Sequence, residues 1–134
     1  MIVTKKLYGV ILILYDYGNK VWSKQMSKVL IVIPAYNEEA SIERVVDNLI
    51  QNFSQYDYIV VNDGSMDSTA DICRKRGYEL LDLPINLGLA GAFQAGARYA
   101  YKNGYEMVLQ LDGDGQHRPE YIEAMIKVME QEKM

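Results

Sequence analysis

Residues 29–50 read VLIVIPAYNEEASIERVVDNLI, and the change of period inside this stretch decides the fold class. Val29 to Ile33 is an unbroken apolar run, mostly β-branched, and Pro34 closes it. Runs without polar alternation suit a strand covered on both faces. From Ile42 the spacing changes. Ile42, Val45, Val46, Leu49 and Ile50 fall at i, i+3, i+4, i+7 and i+8, one face of a helix. Ser41 is placed as its N-cap, and Glu38 and Glu39 add negative charge at the positive end of the helix dipole. A strand buried on both faces and followed at once by an amphipathic helix is the unit of a parallel sheet.

The same alternation continues along the chain. Tyr58 to Val61 reads as a second strand, stopped by Asn62-Asp63-Gly64-Ser65. A short helix carries Ala70, Ile72 and Cys73, and Gly77 stands at its C-terminus. Tyr78 to Leu83 is a weaker strand ended by Pro84. Ala90 to Lys102 is helical, with Phe93, Ala97 and Ala100 on one side and Asn103-Gly104 as the stop. Met107 to Leu111 is a further strand. Pro119 suits the first turn of a last helix, whose apolar face is Ile122, Met125, Ile126 and Met129. The β-α-β-α-β-α-β-α order predicts an α/β fold, mainly parallel, with helices on both faces of the sheet. Ligands in such sheets bind beyond the carboxyl ends of the strands. The segments to read for chemistry are therefore 34–39, 62–67, 86–91 and 112–117.

Composition narrows the partners. The chain has 134 residues, 49% hydrophobic and 24% charged, which suits one globular core. The net charge of −4 and the absence of a basic block argue against a nucleic-acid partner. The single cysteine, Cys73, permits no internal disulfide and fits a reducing compartment, so the expected location is the cytoplasm. Cys73 lies on an apolar helix face with no base beside it in sequence, and reads as core. Residues 1–25 do not read like the rest. Leu7 to Tyr15 is too short to span a bilayer, and no small-x-small cleavage site follows it. This segment is expected to be a dispensable extension, with Met26 as the natural start and residues 26–134 as the domain; a small membrane-touching or packing segment, or a signal peptide, is the alternative.

Asp112-Gly113-Asp114-Gly115-Gln116-His117 is the sharpest chemical signal. Two carboxylates two residues apart at the end of a buried strand can converge on a hard cation such as Mg²⁺ or Mn²⁺. Diphosphate oxygens and water would fill the other positions, and Gln116 could add a neutral oxygen. The plain alternative is a polar turn with Asp capping the next helix. A calcium loop is rejected: His117 stands where the EF-hand needs glycine, Pro119 interrupts it, and a strand precedes it. Asp63 either accepts hydrogen bonds from a base edge or makes an Asx turn capping the short helix. In Pro34-Ala35-Tyr36-Asn37-Glu38-Glu39, Tyr36 offers a flat face for a base and Glu38 an acceptor for ribose or base donors; the alternative is a plain strand-to-helix turn. Asn86-Leu87-Gly88-Leu89-Ala90-Gly91 is Gly-rich but not a dinucleotide fingerprint, and close packing on the sheet explains it. His117 is open between a functional and a structural role.

Taken in order, VLIVIPAYNEE (29–39), VNDGSMDST (61–69), NLGLAGAFQAGARYA (86–100) and LQLDGDGQHRPEYI (109–122) resemble the N-terminal half of the family-2 glycosyltransferases. The similarity is greatest to the branch that makes polyprenyl-phosphate (dolichol-phosphate) mannose or glucose. The resemblance implies a Rossmann-like GT-A fold and a nucleotide-diphosphate sugar donor, UDP- or GDP-linked. It implies that Pro34, Tyr36 and Glu38 contact the nucleoside and that Val61 and Asp63 hold the base. Asp112, Gly113 and Asp114 would serve the diphosphate, Asp112 and Asp114 the chemistry, and Asp112, Asp114 and Gln116 the Mg²⁺ or Mn²⁺. The implied reaction is inverting transfer to a polyprenyl phosphate or saccharide acceptor, with a membrane-associated partner and a place at the inner face of the membrane. Asn62 stands where many relatives carry Asp, and Gly113 where many carry Ala. The family's acceptor half has no counterpart after Met134, which leaves a donor-binding remnant without transfer activity as one rival reading; a pyrophosphorylase-like nucleotidyltransferase is another, and it would favour a Gly-rich, basic loop where this chain has PAYNEE. An uncovered face, and self-association through it, are expected on the same ground.

Overall fold

The computed structural model describes residues 2–7, 10–15, 28–114 and 120–132. Gln116, His117 and Pro119 lie outside them. Ten elements run in the order β1 (Ile2–Leu7), β2 (Val10–Tyr15), β3 (Val29–Ala35), α1 (Ile42–Asn52), β4 (Asp57–Asp63), α2 (Thr69–Arg76), β5 (Leu80–Leu83), α3 (Gly88–Lys102), β6 (Met107–Gln110) and α4 (Tyr121–Glu132). They build one sheet in the order β1-β2-β6-β3-β4-β5. The four strands β6, β3, β4 and β5 are mutually parallel, as the alternating sequence pattern requires.

β3 is the central strand of this parallel set, and its residues are buried throughout, which is why its sequence shows no polar alternation. One face of β3 packs with α1, α2 and α4: Val29, Ile31, Ile33 and Ala35 join Ile42, Val46, Leu49, Cys73, Met125 and Met129 in one cluster. The other face packs with α3: Leu30 and Val32 join Ile59, Val61, Ala92, Phe93, Ala97 and Ala100. Helices therefore cover both faces. α3 approaches β3 closely because Gly96 lacks a side chain; a Cβ there would stand 2.4 Å from Val32 Cγ1. The apolar faces expected for α3 and α4 are buried as read. Ile50, expected on the buried face of α1, is instead 46% exposed. It stands at the margin of the stripe, beyond the side chains that reach β3.

The main difference from the sequence reading is at the amino end. β1 and β2 form an antiparallel hairpin, and β2 pairs antiparallel with β6 through Leu12↔Leu109, Ile13↔Val108 and Leu14↔Met107. The segment before Met26, read from sequence as an extension, thus adds two strands to the sheet. Too short for a membrane span, an apolar run of the size of Leu7 to Tyr15 suits a short strand as well as any other packing segment. Among the described residues no helix is long and apolar enough to cross a membrane.

Candidate active site

The loops after β3 and β4 are built as a mutual clamp. Asn37 adopts a left-handed backbone, φ 54°, a conformation that Asn tolerates better than most side chains. That turn aims its Oδ1 at the next loop, where it accepts from the amides of Met66 at 2.9 Å and Asp67 at 3.4 Å. The Asn37 amide donates to Ser65 Oγ at 3.0 Å, and the Glu38 amide donates to Thr69 Oγ1 at 2.9 Å. The Glu39 amide donates to Asp67 Oδ2 at 3.2 Å, and Glu39 Oε2 accepts from the Ser68 amide at 3.0 Å. Asp67 Oδ1 also takes the amide and hydroxyl of Thr69, at 2.9 and 2.5 Å. Burial disfavours the Asp67 carboxylate, but these donors outweigh it and hold its pKa below the ordinary carboxylate value.

The loop after β5 is seated on the loop after β4. Asp63, buried at the end of β4, accepts from the Leu87 amide at 2.7 Å. The carboxylate at the start of α2, bonded to Thr69, is thus that of Asp67 and not of Asp63. Asn62 accepts from the Ser65 amide at 3.3 Å and donates to Asp82 Oδ1 at 2.7 Å, so both ends of its amide are engaged. Gly64, at φ 67°, makes the contact possible: a Cβ would meet the Asn86 backbone nitrogen at 2.5 Å.

The segment after β6 stays alongside β3 by hydrogen bonds from Leu111 N to Val32 O, 2.9 Å, and Gly113 N to Pro34 O, 3.3 Å. Ser41 begins α1 but makes no side-chain cap. Its Oγ lies 2.7 Å from the Gly113 carbonyl and 3.0 Å from Glu38 Oε2, so one hydroxyl proton serves two acceptors and ties two of the loops together.

These loops enclose a cavity of about 360 Å³ lined by Pro34, Ala35, Tyr36, Glu38, Asp63, Asn86, Gly88, Leu89, Asp112, Gly113 and Asp114. Of the residues singled out from the sequence, Pro34, Tyr36, Glu38, Asp63, Asp112, Gly113 and Asp114 are brought together here. Val61 is not among the lining residues; its side chain is fully buried on the α3 face. Gln116 lies outside the described residues. Asn86, Gly88 and Leu89 were missed, because a Gly-rich turn is explained equally well by close packing. Cys73 is buried, and burial pushes its thiol up to about 11, which agrees with a core role. A larger cavity of about 460 Å³ lies at the amino ends of β3 and β4, lined among others by Leu30, Asp57, Tyr58 and Tyr105. It shares no residue with the carboxyl-end loops, and size alone does not outweigh their convergent polar groups.

Residues 30–134 match the family described as Glycosyl transferase family 2. The chain belongs to that family. It is 33% identical over 107 residues to an undecaprenyl-phosphate mannosyltransferase of Micrococcus luteus, covering 76% of this chain and 44% of the relative. It is 34% identical over 116 residues to a UDP-N-acetylglucosamine–dolichyl-phosphate N-acetylglucosaminyltransferase of Methanococcus voltae, covering 74% and 46%. A mannosyltransferase of Pyrobaculum calidifontis, solved with GDP-Man and Mn²⁺, superposes with a TM-score of 0.58 at 23% identity, covering 72% of this chain and 31% of that one. That likeness carries the fold alone: this is the GT-A arrangement. The chain spans less than half the length of these curated relatives.

A family-2 chain with this loop chemistry can be tested for fit to a divalent cation. Among the described residues no group of three or more His, Cys, Asp or Glu converges. Asp112 and Asp114 line one cavity and offer two carboxylates. Mg²⁺ is ordinarily held by one or two carboxylates, with waters and substrate phosphates completing its octahedron. An all-oxygen set of this size also suits Mn²⁺. The donor set fits.

Proposed function

We propose that the carboxyl-end cavity binds a nucleotide-diphosphate sugar, UDP- or GDP-linked, together with Mg²⁺ or Mn²⁺, and that residues 26–134 are the donor-binding portion of a glycosyltransferase acting on a polyprenyl phosphate or saccharide. The observation that carries this reading is the convergence of Tyr36, Glu38, Asp63, Asp112 and Asp114 on one cavity from three separate loops. Tyr36, 44% exposed, offers a ring face to a base. Asp63 and Glu38 accept from base or ribose donors. Asp112 and Asp114, with Gln116, hold the cation; when bound, it offsets charge on the departing diphosphate. In an inverting transfer, the acceptor oxygen bonds to the anomeric carbon as that carbon's bond to the diphosphate oxygen breaks. A lipid phosphate is already anionic and needs no general base, whereas a hydroxyl acceptor needs one. The two relatives named above act on polyprenyl-type phosphates, by their names, which supports that acceptor class; a place at the inner face of the membrane is proposed with it.

Acceptor recognition is assigned in this reading to the part of the relatives that this chain does not span. The expectation for the 134-residue chain alone is donor binding without turnover at a useful rate. Calorimetry with UDP and GDP, in Mn²⁺ and in EDTA, tests the core of the proposal. Affinity should rise with metal, and Asp114→Ala should abolish most of that rise. Equal affinity in both conditions removes the metal from the reading.

A further inference from the structure

Gln110 is the last residue of β6 and is 3% exposed. Its register partner on β3 is Val32, and it continues the face that Leu30, Val32 and Val108 present to α3. Those described neighbours are apolar, so a primary amide there is expensive unless both its ends are bonded. Only one is. Gln110 Nε2 donates to Asp112 Oδ1 at 2.9 Å, while Gln110 Oε1 is buried with no hydrogen-bond partner among the described residues. Turning the amide over gives no relief, because it sets Oε1 against a carboxylate oxygen. A Met or Leu side chain would fill the same space without the unbonded oxygen. What a Met or Leu cannot supply is the hydrogen bond to Asp112.

We infer that Gln110 is a positioning residue: it fixes the Asp112 carboxylate from below so that this carboxylate is presented to a divalent cation, at a cost to the stability of the strand. The inference rests on the proposed metal-dependent donor site. Two residues along an extended chain share a face, so the Gln110 amide reaches Asp112 without competing for the cavity. Ligands to metals are commonly oriented by such outer hydrogen bonds, and losing one weakens metal binding by about 10–100-fold.

The test is Gln110→Met, with Gln110→Leu as a second apolar replacement, in the full 134-residue chain. Free Mn²⁺ is followed by electron paramagnetic resonance during titration with protein, in the presence of GDP and then of UDP. The expected result is at least a 10-fold weaker Mn²⁺ affinity with a melting temperature equal to or above wild type, since the unbonded oxygen is gone. A purely structural glutamine gives the opposite pair, a lower melting temperature with unchanged Mn²⁺ affinity, and that result overturns the inference. Wild type that binds no Mn²⁺ at all overturns the metal site itself, and is distinct from wild type and variant binding alike, which removes only the role of Gln110. A second measurement needs neither metal nor these variants. The side-chain amide resonances of Gln110 in metal-free, nitrogen-15-labelled protein should shift in Asp112→Ala; unmoved resonances mean the two side chains do not meet, and the inference falls.

Discussion

Asn37 holds the loop after β3 by two separate means, and the two can be measured apart. Its φ of 54° is costly for alanine, about 1 kcal/mol or somewhat more. Its Oδ1 accepts two amides, but the bond to Asp67 is long at 3.4 Å and both are exposed, so together they count as about one net hydrogen bond, about 1 kcal/mol. Asn37→Ala loses both contributions and should destabilise by about 2 kcal/mol. Asn37→Gly keeps the left-handed turn and loses only the acceptor, so it should cost about half as much. For a chain of this size those losses correspond to melting shifts of roughly 6–10 °C and 3–5 °C. Urea unfolding followed by circular dichroism gives the free energies, and the slope should be unchanged because the surface exposed on unfolding is the same. Nucleotide affinity should fall in the same order, since Tyr36 and Glu38 flank this residue and are framed by its loop. Ala and Gly variants that unfold together would show that the backbone conformation contributes nothing. Variants that both match wild type would refute the clamp altogether.

Gly64→Ala puts a Cβ 2.5 Å from the Asn86 backbone nitrogen at a φ of 67°, and should cost about 2 kcal/mol or more while lowering nucleotide affinity, both read by melting and calorimetry. The Asp47 carboxyl is held below its ordinary value chiefly by the Tyr78 hydroxyl, then by Arg76 against burial, and Asp67 is lowered too. Stability from a lowered carboxylate is complete above its unfolded value, about 3.9, and is lost as pH falls through the folded value. The urea midpoint should therefore drop below about pH 4, and Asp47→Asn should flatten that drop; an unchanged acid limb would contradict the pairing. Removing residues 1–25 strips β2 from β6 and leaves a buried-type strand with an open edge, so a chain starting at Met26 should melt lower and associate with rising concentration. Sedimentation that stays monomeric at an unchanged melting temperature would restore those residues to a dispensable extension.

The parallel part of the fold was legible because each strand from β3 on carries its own stop signal and its own change of period. Pro34 stands one residue before the end of β3, Gly64 just after β4 and Pro84 just after β5; Asn103-Gly104 follows α3. β2 was not legible for a physical reason. VILILY is apolar on successive residues, so no period distinguishes strand from buried helix or membrane segment, and its partner is β6, almost a hundred residues away. The site was legible to the extent that charge marks it. Asp112, Asp114, Asp63 and Glu38 announce themselves by standing at strand ends. Asn86, Gly88 and Leu89 do not, because nothing in a Gly-rich turn says which neighbour it will meet. Gln110 was hidden by the opposite effect: within a strand pattern it reads as a tolerated polar residue, and only the unbonded oxygen shows its cost.

The four motifs mix two kinds of residue that no pattern separates. In the PAYNEE segment, Tyr36 and Glu38 line the cavity, while the Asn37 and Glu39 side chains bond to the loop after β4. In the DGSMDST segment, Asp63 lines the cavity, while Ser65, Asp67 and Thr69 receive the amides of residues 37–39. The clamp bonds use backbone amides on one loop and side-chain oxygens on the other, in both directions. A substitution in either loop therefore releases a donor on the opposite one and moves it against the cavity. Affinity for nucleotide and stability should then fall together for Asn37, Asp67 and Thr69, and fall separately for Tyr36 and Glu38, whose side chains face the cavity. The Glu38 carboxylate is the intermediate case, since Ser41 links it to the Gly113 carbonyl beside Asp112 and Asp114. Through that hydroxyl, the loop proposed to frame the nucleoside is mechanically continuous with the loop proposed to hold the metal.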